Sequence, residues 1–176
     1  MNCSSEFSTR TALDVFVMEV DMSRAGEAGC QACDTTTARV KESVEQLRPV
    51  LDAVGVEVRV DKLRVSSDAE ARALGLRASP MIRIGGIELA PEHRDIPLNG
   101  SEEEFETMRL WHWQGQAYRD PPLAMLLDAL LRAYATNRTE GATPKRSEIP
   151  SYVQQYLSPG GERASAAANT CSSGCG

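Results

Sequence analysis

The sequence predicts an α/β domain: a mixed sheet of four to five strands flanked by helices, in the order β-α-β-α-β-β-insertion-α. Three observations predict it. An almost continuous apolar run, Leu13-Asp14-Val15-Phe16-Val17-Met18-Glu19-Val20, is followed by a long stretch of helical periodicity. A strict alternation, Val56-Glu57-Val58-Arg59-Val60, comes next. Two short apolar runs, Met81-Ile82-Arg83-Ile84 and Ile87-Glu88-Leu89-Ala90, then flank Gly85-Gly86, which is how a hairpin reads.

Each element has its own warrant. Residues 1–12 are polar and read as a flexible N-terminus. Residues 13–20 are rich in β-branched and aromatic residues, as suits a strand covered on both faces. From Gln31 to Val54 one apolar stripe recurs through Val40, Val44, Leu47, Leu51 and Val54, the spacing of a helix face. Pro49 lies inside that stripe and should kink the helix or end it early. Gly55 supplies a stop, and Val56 to Val60 form the second strand, parallel to the first because a helix joins them. Asp68 to Leu76 read as a short helix begun by Ser66, Ser67 or Asp68 and closed near Gly75. The hairpin adds an antiparallel pair.

Residues 91–120 are too long for an ordinary connection and read as an insertion, in which Arg109 to Trp113 would form one extra edge strand. Its acidic run, Glu102 to Glu104, reads as a solvated face; for Trp111 and Trp113 core packing is the commoner fate and the lining of a substrate groove the alternative. Pro121-Pro122 opens a helix to about Asn137, with Leu123, Leu126, Leu127, Leu130, Leu131 and Tyr134 on its apolar face. The domain thus covers 13–138. Residues 139–176 form a Ser-, Thr-, Gly- and Ala-rich tail, within which Ile149, Val153, Tyr156 and Leu157 mark a docking segment, 149–157.

The 176 residues carry a net charge of -6, so there is no basic stripe for nucleic acid and no cationic surface for a membrane. No apolar stretch approaches the roughly 20 residues of a spanning helix, and the start of the chain does not read as a secretory signal. The expected location is the cytoplasm. There, paired cysteines point to catalysis or metal binding rather than to a structural staple.

The five cysteines are Cys3, Cys30, Cys33, Cys171 and Cys175. Cys30-Gln31-Ala32-Cys33 opens the first helix. A helix N-terminus offers unpaired N–H groups and partial positive charge, both of which favour a thiolate. Cys30 is therefore the attacking sulfur, and Cys33, three residues on, is placed to resolve a mixed disulfide. Asp21, Glu27 and Asp34 work against the thiolate, so only a modest activation and a reducing couple are expected, unless Arg24 offsets them. The same spacing suits capture of a soft ion, and Cys30, Cys33, Cys171 and Cys175 together form a candidate four-thiolate site for Zn(II), Cu(I), Hg(II) or As(III). The two histidines, His93 and His112, lack a paired ligand spacing and read as surface or hydrogen-bonding groups.

With the strand, the Cys30-Gln31-Ala32-Cys33 helix start and Ser79-Pro80 directly before Met81-Ile82-Arg83-Ile84-Gly85-Gly86, the chain resembles the thioredoxin-like superfamily over residues 13–135. The segment Ser79 to Leu89 is also similar to a bacterial thioredoxin-like family known only as a domain of unknown function, often with a cysteine-rich end. The resemblance implies a cis-proline at Pro80 packed against Cys30 and Cys33. It also implies thiol–disulfide exchange with a protein or small-molecule partner. Read from the residues alone, the terminal pair Cys171 and Cys175 sits on a tail long enough to reach Cys30 and Cys33 and would serve as a mobile second dithiol. Gly29 and Gln31-Ala32 depart from the Trp before, and Gly-Pro between, the cysteines of familiar thioredoxins. Two other functions compete with exchange: sequestration of the soft metal or metalloid, and a redox-inactive interaction module that docks a partner through 149–157.

Overall fold

The computed structural model describes residues 11–25, 30–97, 105–137 and 149–157. Its elements run β1 (Thr11–Val20), a 3-10 turn (Met22–Ala25), α1 (Gln31–Ala53), β2 (Val56–Val65), α2 (Asp68–Leu74), β3 (Met81–Ile84), β4 (Ile87–Leu89), β5 (Glu92–Pro97), β6 (Phe105–Trp113), β7 (Gln116–Tyr118), α3 (Leu123–Asn137) and α4 (Ser151–Leu157). The architecture is mixed α/β, as the sequence predicts. One four-stranded sheet has the order β2-β1-β3-β4, and a separate three-stranded sheet has the order β5-β6-β7.

The central strand β1 explains the organisation. It pairs parallel with β2 along its whole length, from Thr11 opposite Val56 to Val20 opposite Val65, and antiparallel with β3. Side chains alternate across a strand. Leu13, Val15 and Val17 therefore enter a core shared with Val40, Val44 and Leu51 of α1 and with Leu126, Ala129 and Leu130 of α3. Met18 and Val20 enter a second core on the opposite face, with Ala71 of α2, Met81 of β3, and Ile149, Val153 and Leu157. Because both faces are covered, β1 reads as a nearly unbroken apolar run.

Local chemistry sets the ends of the elements. The Ser67 hydroxyl caps α2 by accepting from the Glu70 N–H, and the Glu70 carboxylate accepts in return from the Ser66 N–H. Gly75 closes α2 at φ 65°, in the left-handed region where a side chain would be strained. Helix α1 contains Pro49 and continues to Ala53 rather than ending early. Pro49 is exposed, so the backbone bond it forfeits faces solvent. Val54 and Leu131, assigned to apolar faces from their spacing, are instead 49% and 46% exposed. Val54 falls beyond the last helical turn. On α3, Met125, Ala129 and Ala133 supply buried positions that Leu131 does not.

The largest departure from expectation is the insertion. It carries a β-meander rather than one edge strand. β6 is the middle strand, pairing with β5 from Glu92 opposite Leu110 to Pro97 opposite Phe105, and with β7 through a turn at Gln114-Gly115. Both turn residues have positive φ, 48° and 77°, as a tight hairpin turn demands. Trp111 anchors the meander in the core at 2% exposure, in agreement with its reading as a core residue. Glu102 to Glu104 and the tail cysteines lie outside the described residues. Among the described residues no helix is long and apolar enough to cross a membrane.

Candidate functional site

Cys30 occupies the N-cap of α1 in extended conformation, at φ -115° and ψ 104°. Its carbonyl accepts from the N–H groups of Cys33 and Asp34, each at 3.0 Å, and its Sγ accepts from the Cys33 N–H at 3.4 Å. The first turn of the helix is thus wrapped around the Cys30 sulfur. Cys33, one turn later, is fully buried, whereas Cys30 is partly exposed, and both thiols are free. The burial is unequal because the helix axis points the Cys33 side chain inward, in phase with Thr36 and Val40.

This asymmetry separates the two thiols. The Cys33 S–H donates toward Cys30, and that hydrogen bond is the largest influence bringing the Cys30 thiol down from an ordinary 9 to about 6. Burial opposes the fall, while the Cys33 N–H and the Arg109 guanidinium assist it. Cys33 moves the other way. Its proton is held by the Cys30 sulfur, and burial and the Cys30 charge push it further above the usual thiol range. The two shifts run in opposite directions, so Cys30 is the sulfur that ionises first and Cys33 the one that keeps its proton. The activation of Cys30 exceeds the modest one expected from its acidic neighbours.

The acids explain part of the difference. Asp34 projects into solvent and pairs with Lys62 at 2.9 Å. Asp21 Oδ1 accepts from the Ser23 N–H at 3.1 Å, and Glu27 lies outside the described residues. The acid whose charge does reach both sulfurs is Glu19 on β1, 5% exposed. Lys62 Nζ at 3.0 Å and Arg64 Nε at 3.1 Å, both from β2, neutralise it.

Pro80 is buried and follows a cis peptide bond from Ser79, immediately before β3. The buried Ser79 hydroxyl accepts from the Val20 N–H at 3.0 Å, which ties the Pro80 loop to the end of β1. The same hydroxyl is hydrogen-bonded to the Cys33 sulfur and partly offsets the rise of its pKa. Cys30, Cys33 and the Ser79-Pro80 loop, picked out by sequence, therefore come together. Cys3, Cys171 and Cys175 lie outside the described residues. Among the described residues, no group of three or more His, Cys, Asp or Glu is placed to hold a metal.

Three contributions were missed from the sequence: Glu19, Arg109 and the part played by the Ser79 hydroxyl, whose loop the sequence had located. Arg109 had a readable signal. It lies two residues before Trp111 on β6, so it shares the strand face that Trp111 sends into the core. α4 adds a fourth contributor. Tyr152 stacks on His93 of β5, with ring centroids 3.8 Å apart, and its hydroxyl lies 3.4 Å from the Arg77 carbonyl in the loop leading to Pro80. Burial holds the Tyr152 phenol well above its ordinary range.

Residues 18–130 match a family described as a domain of unknown function, DUF2703. The chain belongs to this family. The DUF2703 match takes in Cys30, Cys33, Pro80 and the whole meander from β5 to β7, and it ends within α3. No curated protein and no solved structure matches the chain.

Proposed function

We propose that this DUF2703 protein is a thioredoxin-like thiol–disulfide oxidoreductase of the cytoplasm, with Cys30 as nucleophile, Cys33 as resolving thiol and Pro80 shaping the surface beside them. The observation that carries the reading is the unequal pair at the start of α1, a partly exposed Cys30 with its pKa brought to about 6 beside a buried, protonated Cys33. An attacking thiol works best when its pKa lies near ambient pH, because it is then ionised and still nucleophilic. A cytoplasmic location fits the same pair, since thiols there are kept reduced between turnovers.

The exchange balances as follows. The Cys30 thiolate attacks one sulfur of a disulfide, forms a Cys30 mixed disulfide and expels one thiolate, which takes a proton from solvent. Cys33 then gives up its proton and attacks the Cys30 sulfur. A Cys30–Cys33 disulfide forms and the second thiol leaves. The substrate is reduced by two electrons and the protein dithiol is oxidised by two; an external dithiol such as dithiothreitol restores it in an assay.

The test is trapping. Reduced Cys33→Ser protein, mixed with a disulfide, should accumulate a stable adduct on Cys30, while the wild type should pass on to the Cys30–Cys33 disulfide. Fragment-resolved mass spectrometry distinguishes the two. If the wild type forms no internal disulfide and the variant no Cys30 adduct, exchange is not the chemistry of this pair.

A further inference from the structure

At the first turn of α1 lies a cavity of about 450 Å³, lined by Gln31, Ala32 and Thr35 of α1, Met108 and Arg109 of β6, and Arg119 and Asp120 just past β7, with neither cysteine in its lining. Gln31 and Ala32 are the two residues between the cysteines, so the wall of the cavity is the active-site turn itself. The opposite wall is the meander, the part of the chain that sequence reading left unexplained. The volume falls in the range of roughly 300–1,000 Å³ typical of small-molecule sites, too small for a folded partner.

The lining has a definite chemistry. Arg109 and Arg119 bring two guanidinium groups, and Gln31 and Thr35 bring neutral donors, while Asp120 is the only acid lining it among the described residues. The Arg109 Nε is buried and has no hydrogen-bond partner among the described residues. A buried donor left unsatisfied is destabilising, and a guanidinium is satisfied best by a planar, bidentate oxyanion. The first turn of α1 adds the partial positive charge of a helix N-terminus on the same side.

We propose that this cavity binds the non-reacting end of a small, carboxylate-bearing disulfide, with Arg109 and Arg119 holding the carboxylate so that the disulfide lies against Cys30. This assignment rests on the exchange reading above and names the substrate class for it. The meander is then a specificity element: it turns an open helix N-terminus into a pocket of matching charge. Arg109 also favours the Cys30 thiolate, so substrate anchoring and nucleophile activation share one side chain.

Three small disulfides test it on the full-length reduced chain: anionic 3,3′-dithiodipropionate, neutral bis(2-hydroxyethyl) disulfide and cationic cystamine. The rate of loss of free Cys30 is followed by mass spectrometry. Each rate is divided by that of the same disulfide with free 2-mercaptoethanol, which removes intrinsic reactivity. The anionic probe should react about tenfold faster than the neutral one on this corrected scale, and the cationic probe more slowly than the neutral one. Arg109→Gln and Arg119→Gln should each lower the anionic-to-neutral ratio severalfold. That ratio cancels any change in Cys30 nucleophilicity. Equal corrected rates for the three probes, or a ratio untouched in both arginine variants, would overturn the substrate assignment and leave the exchange reading standing. Failure of all three to consume Cys30 would overturn the exchange reading itself.

Discussion

Cys30→Ser is expected to reduce disulfide exchange to background, a loss on the order of a thousandfold or more. The size of the effect follows from the asymmetry of the pair. Cys33 cannot take over, because it is fully buried and its thiol is pushed above the usual range by burial and by its bond to Cys30. Serine at position 30 has a hydroxyl that stays protonated at neutral pH, and nothing described around it is a base placed to remove that proton. Single-turnover oxidation of the full-length variant, followed by quantifying the thiols that remain, measures the loss. A variant that keeps more than a tenth of the wild-type rate would place the nucleophile elsewhere.

The second large effect is on stability. Val153→Asp should cost about 3–5 kcal/mol, either by burying an unpaired carboxylate or by forcing α4 off the sheet. Val153 is fully buried against the face of the sheet that carries Met18, Val20 and Met81, and Ile149 and Leu157 are buried with it. Fully burying an aliphatic side chain of this kind contributes roughly 1.5–3 kcal/mol, so undocking the helix forfeits a comparable sum. Urea unfolding is the readout, with Val153→Ala, expected to cost only about 1–2 kcal/mol, as the milder companion. If the aspartate variant unfolds within 1 kcal/mol of wild type, α4 does not belong to the folded unit. Tyr152 on the same helix touches His93 and the loop before Pro80. Undocking would therefore also strip one side of the thiol site.

Much of this was legible in the sequence, for physical reasons that can be named. β1 is apolar on both faces because it is covered on both, and so it declared itself as a central strand. Gly85-Gly86 between two apolar runs fixed the hairpin. Ser79-Pro80 directly before β3 located the loop that meets Cys33. Other features were hidden. β2 continues to Val65, past the point where Asp61-Lys62 breaks its alternation. Pairing with β1 holds it, and Lys62 and Arg64 are used to neutralise Glu19. That requirement arises only once the strands lie side by side.

The site was legible in part for the same reason. Cys30 and Cys33 are local: four residues and a helix start define them. The depth of the Cys30 activation is not. It depends on Cys33 pointing inward, on Asp34 being drawn to Lys62, and on Arg109 arriving from a meander nearly eighty residues away. Charge counted along the chain near Cys30 is net acidic; charge counted in space includes Arg109. The insertion read as a single edge strand because Gln114-Gly115 is a weak turn signal beside Trp113. Two further strands are recovered only when that turn and the long pairing of β5 with β6 are seen together.

The proposed exchange requires Cys30 to be a thiolate at neutral pH beside a protonated Cys33. The direct measurement is the rate of Cys30 alkylation by iodoacetamide in the reduced full-length chain, followed across pH by fragment-resolved mass spectrometry. A thiolate forms as pH rises through its pKa, so the rate should climb to half its plateau near pH 6 and be flat by neutrality. Cys33→Ala, which removes the donated hydrogen bond, should move that midpoint upward. A wild-type midpoint near 9, the ordinary thiol value, would contradict the account at its centre.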